Sequence, residues 1–132
     1  MSDIKDKELI VETVWNYLNG QNNRKYELVE KAWHDDCHMF GINAQNEVVI
    51  YPRSIWREWF AGPSDDPDAE KKAEILSLDI YKSVANAKVR TVIEGIKGTI
   101  VYTDYLNIVK ISETEWKIVN KIFQTDFEPK KK

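Results

Sequence analysis

From Ala73 to Phe127 the chain consists of four strand-like runs: AEILSLDIYKSV, NAKVRTVIEGI, TIVYTDYLNIVKI and EWKIVNKIFQTDF. Each extends about ten to thirteen residues, about twice the usual strand length of roughly five to six. The breaks between them are short, at Ala85-Asn86, Lys97-Gly98 and Ser112-Glu113. Connections that brief require consecutive antiparallel neighbours, a meander. Strand pairs of this length cannot stay flat, so the sheet must twist and curl. A strongly curved sheet has a hollow side, and the rest of the chain must cover it.

The N-terminal half supplies the cover. Residues 4–19 carry Val11, Val14, Trp15 and Leu18 at i, i+3, i+4 and i+7, with Ile4 and Ile10 nearby, and Lys5, Asp6, Lys7, Glu8 and Glu12 elsewhere. That periodicity predicts an amphipathic helix, with Gly20 after its last turn. Asn22 or Asn23 is placed to cap a second helix over about 24–33, where Val29, Ala32 and Trp33 share a face. CHMFGI and VVIY read as short strands around the turn NAQNE. Pro52 then suits the first turn of a third helix through RSIWREWF. Its Trp56, Trp59 and Phe60 form one apolar face, and PSDDPDAE (63–70) follows as an exposed loop. Helices first and long strands after predict an α+β fold, with three N-terminal helices on a strongly curved, mostly antiparallel sheet. At 132 residues the chain is expected to form one domain, with a core over about 4–127 and a basic tail at 128–132.

Composition narrows the function classes. A formal charge of -3 with a pI near 5.5 argues against a general affinity for nucleic acid. No run of roughly 18 apolar residues predicts a membrane span, and MSDIKDKELI lacks the apolar core of a leader, so a cytoplasmic protein is expected. One cysteine cannot form an intrachain disulfide. Five Trp and six Tyr are many for this size and suit a ring-lined cavity or a thick core.

WHDDCH (33–38) gathers both histidines, the cysteine and two carboxylates. On a helix, His34 and His38 would share a face suited to zinc. The segment instead follows a helix end and leads into a strand. Extended, residues four apart are separated by about 13 Å at roughly 3.3 Å per residue. Two imidazoles that distant cannot share an ion with ligands at about 2.1 Å, so no metal site is expected. No cofactor is implied either.

The order of elements resembles the nuclear transport factor 2-like superfamily (NTF2-like), the cystatin-like cone fold shared with ketosteroid isomerases and SnoaL-type polyketide cyclases. LDIYKSVANAKV (78–89), YTDYLNIVKI (102–111) and EWKIVNKIF (115–123) are similar to its "Putative lumazine-binding" group. The resemblance implies a pocket inside the cone, closed by three helices, and a homodimer through the sheet. It implies no single activity, because the fold hosts enzymes, binders and scaffolds.

Within such a cone, His38 is expected to line the pocket together with Phe40, which shares its parity; the other choice is Cys37 with Met39. Asp104 shares a face with Tyr102, Leu106 and Ile108, and Asp79 with Ile75, Ser77 and Tyr81, while Arg90 falls on the outer surface. On the last strand Trp116, Ile118, Asn120 and Ile122 oppose Lys117, Val119, Lys121 and Phe123. The ligand-contacting set is therefore Tyr17, His38, Phe40, Trp56, Asp104 and Asn120, and Asp104, His38 and Asp79 are the candidate bases. A carboxylate desolvated among rings could move a proton near neutral pH. The competing role for either Asp is a cross-strand ion pair with Lys or Arg. The expected function is binding of a planar or aromatic small molecule. The alternatives are a cofactor-free isomerase, dehydratase or cyclase, and a dimeric interaction module.

Overall fold

The computed structural model describes residues 2–131. Helix α1 (Ser2–Asn22) and helix α2 (Tyr26–Ala32) precede strands β1 (Trp33–Ile42) and β2 (Val48–Pro52). Helix α3 (Ile55–Phe60) leads through a loop into β3 (Glu70–Tyr81), β4 (Val84–Glu94), β5 (Gly98–Ser112) and β6 (Glu115–Pro129). One sheet holds all six strands in the order β2-β1-β6-β5-β4-β3. Every pairing is antiparallel except β1 with β6. The fold is thus the α+β arrangement expected, with helices on a curved, open sheet.

Several local expectations move. Helix α1 continues past Gly20, which lies inside it: a Cβ there would come within 2.8 Å of Val29 Cγ2 and 2.9 Å of its backbone nitrogen. The missing side chain lets α1 and α2 approach closely, so this glycine serves packing and not termination. The buried stripe of α1 is Asp6, Ile10, Thr13, Val14, Tyr17 and Leu18, with Val11 and Trp15 on its flank. Lys25, not an asparagine, occupies the N-cap of α2. Trp33 opens β1 instead of closing α2. Pro52 ends β2, an edge strand where a missing N–H costs no ladder bond, and Ser54 takes the N-cap of α3.

The meander forms with slightly shifted turns. Lys82 and Ser83 connect β3 to β4, Lys82 with φ 50, while Ala85 and Asn86 belong to β4. At the start of β5, Gly98 has φ 152, and a Cβ would meet the backbone oxygen of Glu128. Three register shifts matter more. They lie between Ile75 and Ser77 on β3, between Asn107 and Ile108 against Asn120 and Ile118, and between Lys110 and Ser112. Each extra residue bends its strand, strengthens the local twist and reverses which side chains face inward. The concave side packs on α1 around one core of Ile10, Val14, Leu18, Val89, Leu106, Ile108, Trp116 and Ile118, among others.

Candidate functional site

Between the concave sheet, the β1–β2 hairpin and the N-terminal helices lies a cavity of about 490 Å³. Its wall carries five aromatic side chains, Tyr51, Trp56, Trp59, Tyr102 and Phe123, Met39 adds a flexible apolar surface, and half of the lining residues are polar. The rings brace one another: Trp56 and Trp59 meet edge to face at 5.0 Å, Tyr51 and Trp59 at 5.1 Å, and Trp33 and Trp56 at 5.4 Å. Such contacts fix ring positions beyond what area burial alone would do. Polar groups rim the space. Arg24 hydrogen-bonds the carbonyls of Trp59 and Gly62, and Lys71 donates to the carbonyl of Asn22 at 3.0 Å. This tethers the α1–α2 connection to the end of α3 and to β3.

One cation reaches this wall from the core. The β6 register shift leaves Val119 unpaired, so that Lys121, Phe123 and Thr125 face the same way as Trp116 and Ile118. Lys121 is 5 % exposed, and its ammonium lies 4.9–5.3 Å from the ring centroids of Phe123, Tyr17 and Trp56. Behind it, outside the cavity wall, are Tyr17 and Asp104. Lys121 Nζ donates to the Tyr17 hydroxyl at 2.6 Å. That hydroxyl can donate to Asp104 Oδ2 at 2.9 Å or to Gln21 Oε1 at 2.8 Å. The Lys121–Asp104 ion pair closes the triangle at 3.5 Å.

Burial shapes the electrostatics of this cluster. It lowers the Lys121 pKa below its usual 10.5, against the upward pull of the Asp104 charge. It raises Tyr17 well above 10, and the neighbouring Asp104 charge adds to the effect, so the phenol keeps its proton. Tyr102 is raised for the same two reasons. Asp104 is 1 % exposed, and its Oδ1 has no hydrogen-bond partner among the described residues. A buried charge is tolerated only when paired and hydrogen-bonded, which assigns Lys121 and Tyr17 the task of holding this carboxylate. The cluster can therefore present a cation and hydrogen-bond donors to a ligand's acceptor atoms, and it can relay a proton along Lys121–Tyr17–Asp104.

The structure brings together only part of the expected set. Tyr17, Trp56 and Asp104 meet, drawn from α1, α3 and β5, but of the three only Trp56 lines the cavity, while Tyr17 and Asp104 lie behind Lys121. His38 and Phe40 do not join them: both are exposed, and Cys37, Met39 and Gly41 take the inward positions. This parity follows from the start of β1. The five-residue step from Trp33 to His38 opposes the two-residue step from Ile118 to Asn120, and the irregularity decides which alternate set turns inward. The His38 ring lies against the Asp36 carbonyl at 2.7 Å, and the His34 Nδ1 accepts from the Asp36 N–H at 3.1 Å. WHDDCH is thus a self-bonded, irregular strand beginning.

Asn120 is likewise exposed. It accepts from Asn107, which accepts from Asn86, in a ladder of side-chain amides across the outer face. Asp79 is also exposed: the irregularity between Ile75 and Ser77 separates it from the inward parity of Ile75. Arg90 lies on the outer face, bonded to Thr103. Lys121 is the central residue that strand alternation missed, because a bulge has no clear signature in single-sequence hydropathy. The available signal was a lysine within the apolar run IVNKIF, one strand away from Asp104.

The curved sheet, the helical cover and the ring-lined hollow define the NTF2-like class of cone proteins, and solved structures of that class superpose on the chain. An NTF2-like protein of Shewanella baltica is 24% identical over 96% of this chain and 97% of its own, with a TM-score of 0.78. A ketosteroid isomerase-like protein of Erwinia carotovora atroseptica is 14% identical over 89% and 94%, with a TM-score of 0.68. The hexachlorocyclohexane dehydrochlorinase of Novosphingobium barchaimii is 12% identical over 98% and 92%, with a TM-score of 0.73. At these identities the likeness concerns the fold. Among curated proteins none matches. The family model described as "Putative lumazine-binding" matches residues 5–124, and the chain belongs to that family.

Proposed function

We propose that the cone is a binding site for a small, planar organic ligand. The observation that carries the proposal is the cavity itself: about 490 Å³, walled by five aromatic side chains, with the Lys121 ammonium at its inner surface. Ligand pockets commonly have this size and pair apolar walls with a few fixed polar groups. Rings would stack on Tyr51, Trp56 or Trp59, and an electron-rich edge would face Lys121. Native mass spectrometry of freshly purified protein, followed by thermal shifts with pterin, flavin, steroid and aromatic polyketide panels, tests this reading. Lumazine, the compound in the family's description, belongs in the first panel. Stabilisation confined to one chemical class supports the proposal; unchanged melting with every panel counts against it.

A second reading has its own support. The Tyr17 hydroxyl and Asp104 Oδ2 stand 2.9 Å apart, the spacing a general base and its hydroxyl partner need. Asp104 lies behind the cavity wall, so in a cofactor-free isomerase, dehydratase or cyclase it would act through its neighbours. Lys121 would take the proton of a carbon acid in the cavity as its own proton passes through Tyr17 to Asp104. Exchange of deuterium from solvent into a bound carbon acid, followed by NMR and lost in Asp104→Asn, would favour this reading over simple binding.

The convex face of the sheet supports a homodimer. Phe40 and Ile122 are 49 % and 53 % exposed, and with Tyr105 they line a shallow apolar groove beside the asparagine ladder. A second copy of the chain would cover these groups.

A further inference from the structure

Resting on the reading of the cone as a ligand pocket, we propose that Lys121 is a carbonyl-capturing amine that forms an imine with an aromatic aldehyde or ketone held in the cavity. The position of Lys121 carries the inference. Among the described residues it is the lysine that is both nearly fully buried and part of the aromatic wall. Lys71, the other cavity lysine, is held at the rim by the Asn22 carbonyl. A flat carbonyl compound stacked among Tyr51, Trp56, Trp59 and Phe123 would present its carbonyl carbon to the Lys121 nitrogen.

Nucleophilic attack needs a neutral amine, and the cluster contains a route for the proton. Lys121 N–H points to the Tyr17 oxygen at 2.6 Å, and the Tyr17 hydroxyl points to Asp104 Oδ2 at 2.9 Å. One shift along this chain delivers a proton to the carboxylate and frees the nitrogen lone pair. Burial favours that neutral arrangement by lowering the basicity of Lys121. The C–N bond then forms as the carbonyl π pair moves to oxygen, giving a carbinolamine once that oxygen is protonated. The nitrogen lone pair expels the hydroxyl, which leaves as water with the proton returned through Tyr17. The net change is an ammonium plus a carbonyl giving an iminium plus one water, with Asp104 again ionised. The iminium keeps the positive charge where the ammonium had it. The rings of Tyr17, Trp56 and Phe123 that surround the ammonium therefore also stabilise the product.

The test uses the intact protein with 2-naphthaldehyde and sodium cyanoborohydride at neutral pH, with peptide mapping by mass spectrometry. The expected result is reductive labelling of Lys121 at least tenfold faster than of any exposed lysine. Tyr17→Phe should slow that labelling several-fold while leaving the other lysines unchanged. Binding of 2-naphthalenemethanol, which has no carbonyl, is measured in parallel by tryptophan fluorescence quenching. If the alcohol binds while Lys121 labels no faster than surface lysines, the imine proposal is overturned and the pocket reading stands. If the alcohol does not bind and Lys121 stays unlabelled, both are overturned.

Discussion

Lys121 and Asp104 are individually costly and jointly tolerable. Removing one partner strands the other in the core, which typically costs about 3–5 kcal/mol, whereas replacing both by apolar groups is often close to neutral. Lys121→Met should therefore lower stability by about that amount. The double variant Lys121→Met/Asp104→Leu should recover most of it. Urea unfolding of the two variants and the parent measures the difference; equal losses in both would show that the pair is not mutually dependent. Cys37 gives a complementary expectation. Burial pushes its thiol up to about 12, so at pH 8 only about one molecule in ten thousand carries the reactive thiolate. A thiol reagent such as Ellman's should react very slowly with native protein and rapidly in urea. This sets Cys37 apart from reactive cysteines, despite two histidines within three residues of it.

At the scale of elements, the attachment of α1 to the last hairpin depends on a small polar knot. Asp6 Oδ1 takes a 3.0 Å ion pair from Lys110 and a 3.3 Å hydrogen bond from Trp116 Nε1, while Thr13 donates to the Trp116 carbonyl at 3.2 Å. The Lys110 contact, aided by Trp116, holds the Asp6 pKa below its ordinary 3.8. A carboxylate depressed in the folded state stabilises fully above its unfolded pKa and loses that contribution as pH falls through its folded value. The urea midpoint should therefore fall below about pH 4, and Asp6→Asn should flatten part of that acid limb while lowering the plateau at pH 7. An unchanged acid limb would remove Asp6 from the account. Elements were also the scale at which reading from sequence worked best. The helices, the hairpin and the four long strands are legible because each repeats its period over many residues. Alternation also grouped Asp104 with Leu106 and Ile108, on the face that the fold then turns inward. It misplaced Asp79, and it put Lys121 on the face opposite Trp116, because one added residue reverses every later position.

For the molecule as a whole, two measurable properties follow from the proposed function. A ligand present at one hundred times its dissociation constant adds about 2.7 kcal/mol, so a true occupant of the cone should raise the melting temperature by several degrees. Trp59→Ala, which removes a ring that lines the cavity yet is 40 % exposed, should reduce that shift more than it reduces the stability of the ligand-free protein. The proposed dimer places Ile122 against its counterpart's sheet. Ile122→Lys should then halve the sedimenting mass without unfolding the chain, and a monomeric parent would refute the proposed dimer. By itself the amino-acid sequence determined the element types, their order and the curvature of the sheet, because those depend on local periodicity and strand length. The tertiary structure alone decided which side chains enter the hollow. Register shifts reverse strand parity, and the buried Tyr17–Asp104–Lys121 cluster joins residues up to 104 positions apart through contacts that no local pattern encodes.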